Sequence, residues 1–436
     1  MRQIVRSASV LVLIAIVGAT AAFASGTGEA TDAGATEVTL AHYFVDADTS
    51  AQAIATRAMV DTFQQTRPDI DVVVDAIGHD SYEERILVLA AGNELPDVFR
   101  FRASTLGDFV AGGLLQPLDE LLAATPQFAD NRLPNSFRTI DSVAWGVPMN
   151  ALSTSLVYYN QEIFAEVGID RFPETWAEFE DAIVRLREAG HIPIAMGNRA
   201  PWLGQSCYLS TIAVRYTGDA WFQSILDRDG AAFTDRPFVA ALEAMQNLAE
   251  IGAFNDDFLS IDNTAMRRLY YTGRAAMFIE GSWALEQLEA NAPPEVRDAT
   301  GIAVLPAISG TGVPQNTMSG GPSAWTWGIS AGLSAERLQA AWDLMVAING
   351  SESANIMAAN GGVPLTRADD FDPSELSDRQ LRFLEILEEY TITPIYDAHL
   401  NAALIETINN GIQELLLGTV TPEALAQTIQ AHYARL

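Results

Sequence analysis

The order of residues predicts an α/β protein divided into two lobes, each a sheet flanked by helices. Three observations carry this. The chain has 436 residues, whereas one core commonly serves about 100–200. Strand-like and helix-like runs alternate along it, which favours mainly parallel sheets. The alternation breaks at "VAWGVPMNALSTSLVYYN", residues 143–160, where two strand-like runs flank Pro148 and Asn150 and a crossing between lobes is expected.

The elements follow in order. "EVTLAHYF" reads as a first strand, and "SAQAIATRAMVDTFQQTRPD" as a helix with Ile54, Ala58, Met59 and Phe63 on one stripe. "IDVVVDAI" returns as a strand, "SYEERILVLAAG" is a helix, "DVFRF" a short strand and "STLGDFVAGG" a helix. Beyond the crossing, "PETWAEFEDAIVRLREAG" carries Thr175 as N-cap, Glu178 three residues on, and Trp176, Phe179, Ile183 and Leu186 at helical spacing. "IPIAM" and "AAMFI" are strands on either side of the helix "DRPFVAALEAMQNLAEIGAF". "GIAVLPAI" and "WTWGIS" resume strand character, Ser334 caps a helix bearing Leu338, Trp342 and Met345, and the last quarter is helical.

The N-terminus carries Arg2 and Arg6, an apolar run, and Ala22-Phe23-Ala24 before Ser25. This pattern predicts a signal peptide over 1–24, cleaved near Ala24, and then a polar acidic tether over 25–37. The apolar run is too short for a membrane anchor. The only cysteine is Cys207, so no intrachain disulfide can form. The signal region also has no cysteine to be acylated as in a lipoprotein. Losing residues 1–24 removes two arginines and no acid, taking the formal net charge from −31 to −33. Such a field repels phosphate backbones and anionic lipid heads, which argues against nucleic-acid and membrane partners.

No metal site is legible, because the histidines are scattered at 42, 79, 191, 399 and 432. The nucleophile elbow, the phosphate loop and the dinucleotide fingerprint are all missing, so neither catalysis nor a cofactor has a positive signal. What stands out is aromatic and polar residues at strand ends, where ligands of open α/β sheets settle. These are Tyr43 and Phe44, the run Arg100 to Arg102, Asn150, Trp202 and Trp283. Flat aromatic faces suit the C–H faces of a pyranose, and Asp, Asn, Glu and Arg suit its hydroxyls. Trp176 and Trp342 lie on apolar helical stripes and belong to a core. Trp325 and Trp327 alternate on one strand, and core and cleft are equally open to them. For a cationic ligand, Asp46, Asp48 and Glu280 are the acids near these positions, and for a phosphate, Arg100, Arg102 and Arg199 are the bases.

Seven segments carry a resemblance: "GNELPDVFRF", "WGVPMNALSTSLVYYNQEIFAEVGI", "PETWAEFEDAI", "YYTGRAAMFIEGSWAL", "GIAVLPAI", "GGPSAWTWGIS" and "NGGVPLTRADD". In this order they resemble the family-1 extracellular solute-binding proteins of bacterial ABC importers, the group that contains maltose-binding protein. The resemblance implies a two-lobed type II periplasmic-binding-protein fold with hinged crossings near Pro148–Ser153, Leu305 and Ala347. It divides the chain into 38–148 with 306–346 and 149–305 with 347–436. It implies a periplasmic monomer, not an enzyme, that takes a sugar in the interlobe cleft and passes it to a membrane permease. Trp283 of "GSW" falls where an aromatic stacks on the sugar, with Asn150 reaching the ligand from the first crossing. Phe101, Trp202 and the neighbourhood of Asp397 fall at further contact positions, and Arg102, Glu280, Asp46 and Trp325 complete the expected set. Within this reading, Ser282 caps the helix that carries Trp283, and Glu280 and Gly281 form the turn before it. A polyamine or a glycerol phosphodiester on the same fold, or a secreted glycoside hydrolase, are the alternative readings.

Overall fold

A computed structural model describes residues 35–133, 136–368 and 370–436. The expected signal peptide and most of the tether lie outside these residues. Three four-stranded sheets organise the rest. In the first, Trp325–Ile329, Val98–Arg102, Thr36–His42 and Ile70–Ala76 lie side by side in that order. The last three run parallel, and Trp325–Ile329 pairs antiparallel with Val98–Arg102, placing Trp325 opposite Arg102. The second sheet runs Thr300–Val304, Leu156–Asn160, Ala275–Glu280, Ile192–Ala195, and only its last pairing is parallel. Pairing is therefore more mixed than continuous strand–helix alternation implies. Returning segments such as Trp325–Ile329 and Thr300–Val304 enter from distant parts of the chain, so no crossover helix fixes their direction.

Each sheet anchors its own core. One core takes residues from Val38 to Met149 and again from Trp325 to Met357, and the other from Leu156 to Met318 and from Phe383 to Ile429. Core membership thus changes after Met318 and after Met357. The physical reason is the helix Ser351–Ala359, which lies against the helix Ala51–Thr66 and seats Met357 in the first core. Small residues on Ala51–Thr66 permit that approach, and its buried face runs through Gln52, Ala55, Thr56, Met59, Val60 and Phe63, leaving Ile54 and Ala58 half-buried. The third sheet, Val363–Pro364, Asn150–Ser153, Thr317–Pro322 and Thr391–Pro394, is built where the chain passes between the cores.

Local signals set several boundaries. The helix Trp176–Glu188 starts with a full capping box: Thr175 accepts from Glu178 N, and the Glu178 carboxylate accepts from Thr175 N at 3.1 Å. Trp176, Phe179, Ile183 and Leu186 are buried beneath it. A Thr175→Ala variant is expected to lose about 1 kcal/mol of stability, read as a lower urea midpoint with an unchanged slope. Ser334 likewise caps Ala335–Asn349 by accepting from Arg337 N.

Candidate functional site

A cavity of about 470 Å³ opens between the two cores. The first core presents Tyr43, Asp48, Gln52, His79, Arg102 and Trp325 to it, and the second presents Trp202, Ser206, Asn263, Arg267, Trp283 and Gln287, with Asp397 closing the base. On a strand, alternation decides which side chain reaches the cavity. On Val98–Arg102, Arg102 reaches the cavity, whereas Phe101 points to the opposite face and stacks on Phe109 with ring centroids 5.5 Å apart. Phe101 is therefore a core residue and does not line the cavity. Phe44 is also buried, its ring 4.7 Å from the Arg100 guanidinium, while its neighbour Tyr43 faces the cavity. Arg100 itself is sealed among Tyr43, Phe44 and Trp327.

Trp283 is half-buried and faces the cavity, held from below rather than by packing alone. Its Nε1–H donates to Glu280 Oε1 at 2.9 Å. Glu280 is fully buried and accepts from Arg267 Nη1 at 2.8 and 2.9 Å and from Asn263 Nδ2 at 2.8 Å. Glu280 thus fixes the indole and does not itself line the cavity. Gly281 completes the arrangement, because a Cβ there would overlap the six-membered ring of Trp283. Ser282 makes no side-chain cap: its own backbone is helical and its N–H donates to Ser153 O at 2.9 Å. The stretch "EGSW" is a mount for one ring.

The other aromatic rings converge on the same space. Trp202 lies 5.9 Å from Trp283 and 5.8 Å from His79, and Trp325 lies 4.9 Å from Tyr43 with the Arg102 guanidinium 4.9 Å from its ring. Trp202 precedes a π-helical turn, Gly204–Leu209, a rare geometry frequent at functional sites. The turn brings Ser206 to the cavity, where its hydroxyl donates to Asp397 Oδ2 at 2.9 Å. Arg102 Nη1 donates to the same oxygen at 3.0 Å, and Arg102 Nε to Glu83 at 2.7 Å. Burial pushes the Asp397 carboxyl above the usual range, against the pull of Arg102 and Ser206.

Besides Phe44, Phe101 and Glu280, two further expected residues stand outside the cavity. Asp46 is exposed, and Asp48, two residues on, lines the cavity in its place. Asn150 lies in a smaller recess beside the cavity. Three polar contacts bridge the two cores around the cavity: Asp48 with Gln287 at 3.1 Å, Arg102 with Asp397 at 3.0 Å, and Arg199 with Asp80 at 3.9 Å. No local sequence signal marks Gln52, Asn263, Arg267 or Gln287, which reach the cavity only through tertiary folding. Cys207 is buried, and burial raises its thiol well above the ordinary value, which leaves it inert. Among the described residues no group of three His, Cys, Asp or Glu could hold a metal ion, and no helix is long and apolar enough to cross a membrane.

The chain is similar to several known proteins. Residues 44–354 match the family described as bacterial extracellular solute-binding protein. The sn-glycerol-3-phosphate-binding periplasmic protein UgpB of Rhizobium meliloti (strain 1021) is 26% identical over 233 residues, 52% of this chain and 51% of its own length. A probable sugar-binding periplasmic protein of the same organism is 26% identical over 199 residues, 45% of this chain and 46% of its own. These alignments span about half the length of the curated relatives or less. Two solved structures superpose over nearly everything: a chitin oligosaccharide binding protein, with TM-score 0.82 at 22% identity over 92% of this chain and 98% of that one, and the maltose-bound MalE3 of T. maritima, with TM-score 0.75 at 20% identity over 92% and 100%. At those identities the likeness concerns the fold, and it is the two-lobed periplasmic-binding-protein fold. With its matched segment covering well over half of the residues, the chain belongs to the bacterial extracellular solute-binding protein family.

Proposed function

We propose that this protein is exported and captures a sugar, a mono- or oligosaccharide, in the cavity between its lobes, then delivers it to the permease of an ABC importer. The observation that carries the reading is the set of rings around the cavity, Trp283, Trp202, Trp325 and Tyr43, interleaved with hydrogen-bonding side chains. Each aromatic contact adds about 0.5–1.5 kcal/mol, and each bond to a charged group about 1.5–3. A handful reaches the roughly −8 kcal/mol of a micromolar complex. The solved relatives named for chitin oligosaccharide and bound to maltose agree in class.

A glycerol phosphodiester fits the same walls less well, even though UgpB is named for glycerol phosphate. Both arginines at the cavity are already matched by acids, Arg102 by Glu83 and Asp397 and Arg267 by Glu280, while Asp48 has no cation within ion-pair distance among the described residues. A phosphate would meet net negative charge. The lobes, proposed as 36–149 with 325–359 and 150–322 with 360–436, close because a ligand touching both at once favours the closed arrangement.

A thermal-shift screen against mono- and oligosaccharides tests this. A sugar present at 100 times its dissociation constant is expected to stabilise the protein by about 2.7 kcal/mol, and glycerol 3-phosphate is expected to leave the midpoint unchanged. The bound oligosaccharide is recovered intact, with no new reducing ends. Stabilisation by glycerol 3-phosphate alone would overturn the reading.

A further inference from the structure

The recess beside the cavity is walled by Asn150, Glu286, Ser50, Gln52, Ser282 and Trp283, and Ser50, Gln52 and Trp283 are shared with the cavity. Its free volume of about 10 Å³ admits one water-sized group. Two acceptors there have no partner among the described residues. Asn150, 3% exposed, leaves its Oδ1 unbonded, and Glu286 leaves Oε2 unbonded. Asp48, across the shared wall, spends only Oδ1, on Ser50 N at 2.9 Å and Gln287 Nε2 at 3.1 Å. Buried acceptors without donors are costly, so the complementary occupant supplies several donors and accepts none.

We propose that this recess receives a protonated primary amine, so that the cargo is an amine-bearing sugar whose ammonium group donates to Asn150 Oδ1 and Glu286 Oε2 while Asp48 adds a second negative charge. The proposal rests on the reading of the cavity as a sugar site. An ammonium carries three donors and no acceptor, matching this set once Glu286 is ionised, whereas a hydroxyl brings one donor and two lone pairs and leaves the ionised carboxylate without a counter-charge. The charge balance agrees, because the arginines of the main cavity are matched by acids and Asp48 is not. Of the acids expected for a cation, Asp46, Asp48 and Glu280, Asp46 is exposed, Glu280 is matched by Arg267, and Asp48 stands beside the recess. Glu286 joins it.

Burial, reinforced by Asp48, pushes the Glu286 carboxyl up to about 8. The titratable groups that face it are Asp48 from the loop after the first strand and Tyr158 from Leu156–Asn160, and the remaining walls are uncharged. Glu286 is then protonated below that value in the empty protein and gives up its proton when an ammonium arrives. Amine binding therefore releases a proton, and affinity rises with pH as long as the amine itself stays charged.

The test is calorimetric titration of matched sugars: glucose, N-acetylglucosamine and glucosamine, with the β1,4-linked dimers and trimers of each. The amine member is expected to bind at least tenfold tighter than both neutral members of its set. At pH 6.5 it should release close to one proton, read from two buffers of different ionisation enthalpy. In Glu286→Gln, and in Asp48→Asn as a second variant, the ratio of amine to neutral affinity should collapse towards one, with circular dichroism confirming the fold. Neutral members binding as tightly as the amine, or a ratio untouched by both variants, overturns the recess and leaves the sugar reading standing. Failure of every sugar to bind overturns both.

Discussion

Replacing Trp283 by alanine is expected to weaken sugar binding by roughly ten- to a hundredfold, about 1.4–2.7 kcal/mol, while leaving the fold in place. The ring contributes through its stacking face and through the apolar area it covers at about 25 cal/mol per Å². Because it is half-buried at the cavity wall, packed against the second core and open to the cavity on its other side, removing it leaves no sealed void. Its thermal midpoint should stay within a few degrees of the parent. Trp283→Phe separates the two parts of the mount: the flat face survives, the Nε1–H bond to Glu280 is lost, and an intermediate affinity is expected. Calorimetry with the best sugar from the screen decides it, and an unchanged affinity for Trp283→Ala would remove this wall from the site.

The ring at 283 was legible because the signals that place it are local. A buried strand, a glycine and a tryptophan follow one another, and strand ends are where open α/β sheets take ligands. The capping box at Thr175 and the stripe beneath it were legible for the same reason. Phe44 and Phe101 show where locality ends. On Val98–Arg102 alternation turns Phe101 away while Arg102 points in, whereas Tyr43 and Phe44 lie past the end of Thr36–His42, where the path of the loop sets which ring faces the cavity. Tyr43 and Arg102 point in, and Phe44 and Phe101 pack behind. Arg267 and Asn263 were invisible because they belong to a helix whose relevance appears only once Asn263–Tyr271 packs against the strand Ala275–Glu280. The helix Ser351–Ala359 is a comparable case, since it carries an ordinary apolar pattern that fits either core and is assigned by its contact with Ala51–Thr66.

Arg267 carries the second large effect, because it neutralises a carboxylate that has no access to water. Glu280 is fully buried, and its charge is balanced by the two contacts from Arg267 Nη1, with Asn263 and Trp283 supplying further donors. Arg267→Ala leaves that charge in place without a cation, and breaking one side of a buried pair costs about 3–5 kcal/mol. A fall in thermal midpoint on the order of 5–15 °C is expected. Because Trp283 is hung from the same carboxylate, sugar affinity should fall as well, even in the fraction that remains folded. The double variant Arg267→Met with Glu280→Gln removes both charges while keeping an amide oxygen for the indole N–H. It should recover most of the lost stability, since replacing both members of a buried pair is far cheaper than orphaning one. It should also regain part of the affinity, because the ring keeps its acceptor. If the double variant were no more stable than Arg267→Ala, the loss would not come from the stranded carboxylate, and the account of how the ring is mounted would fail.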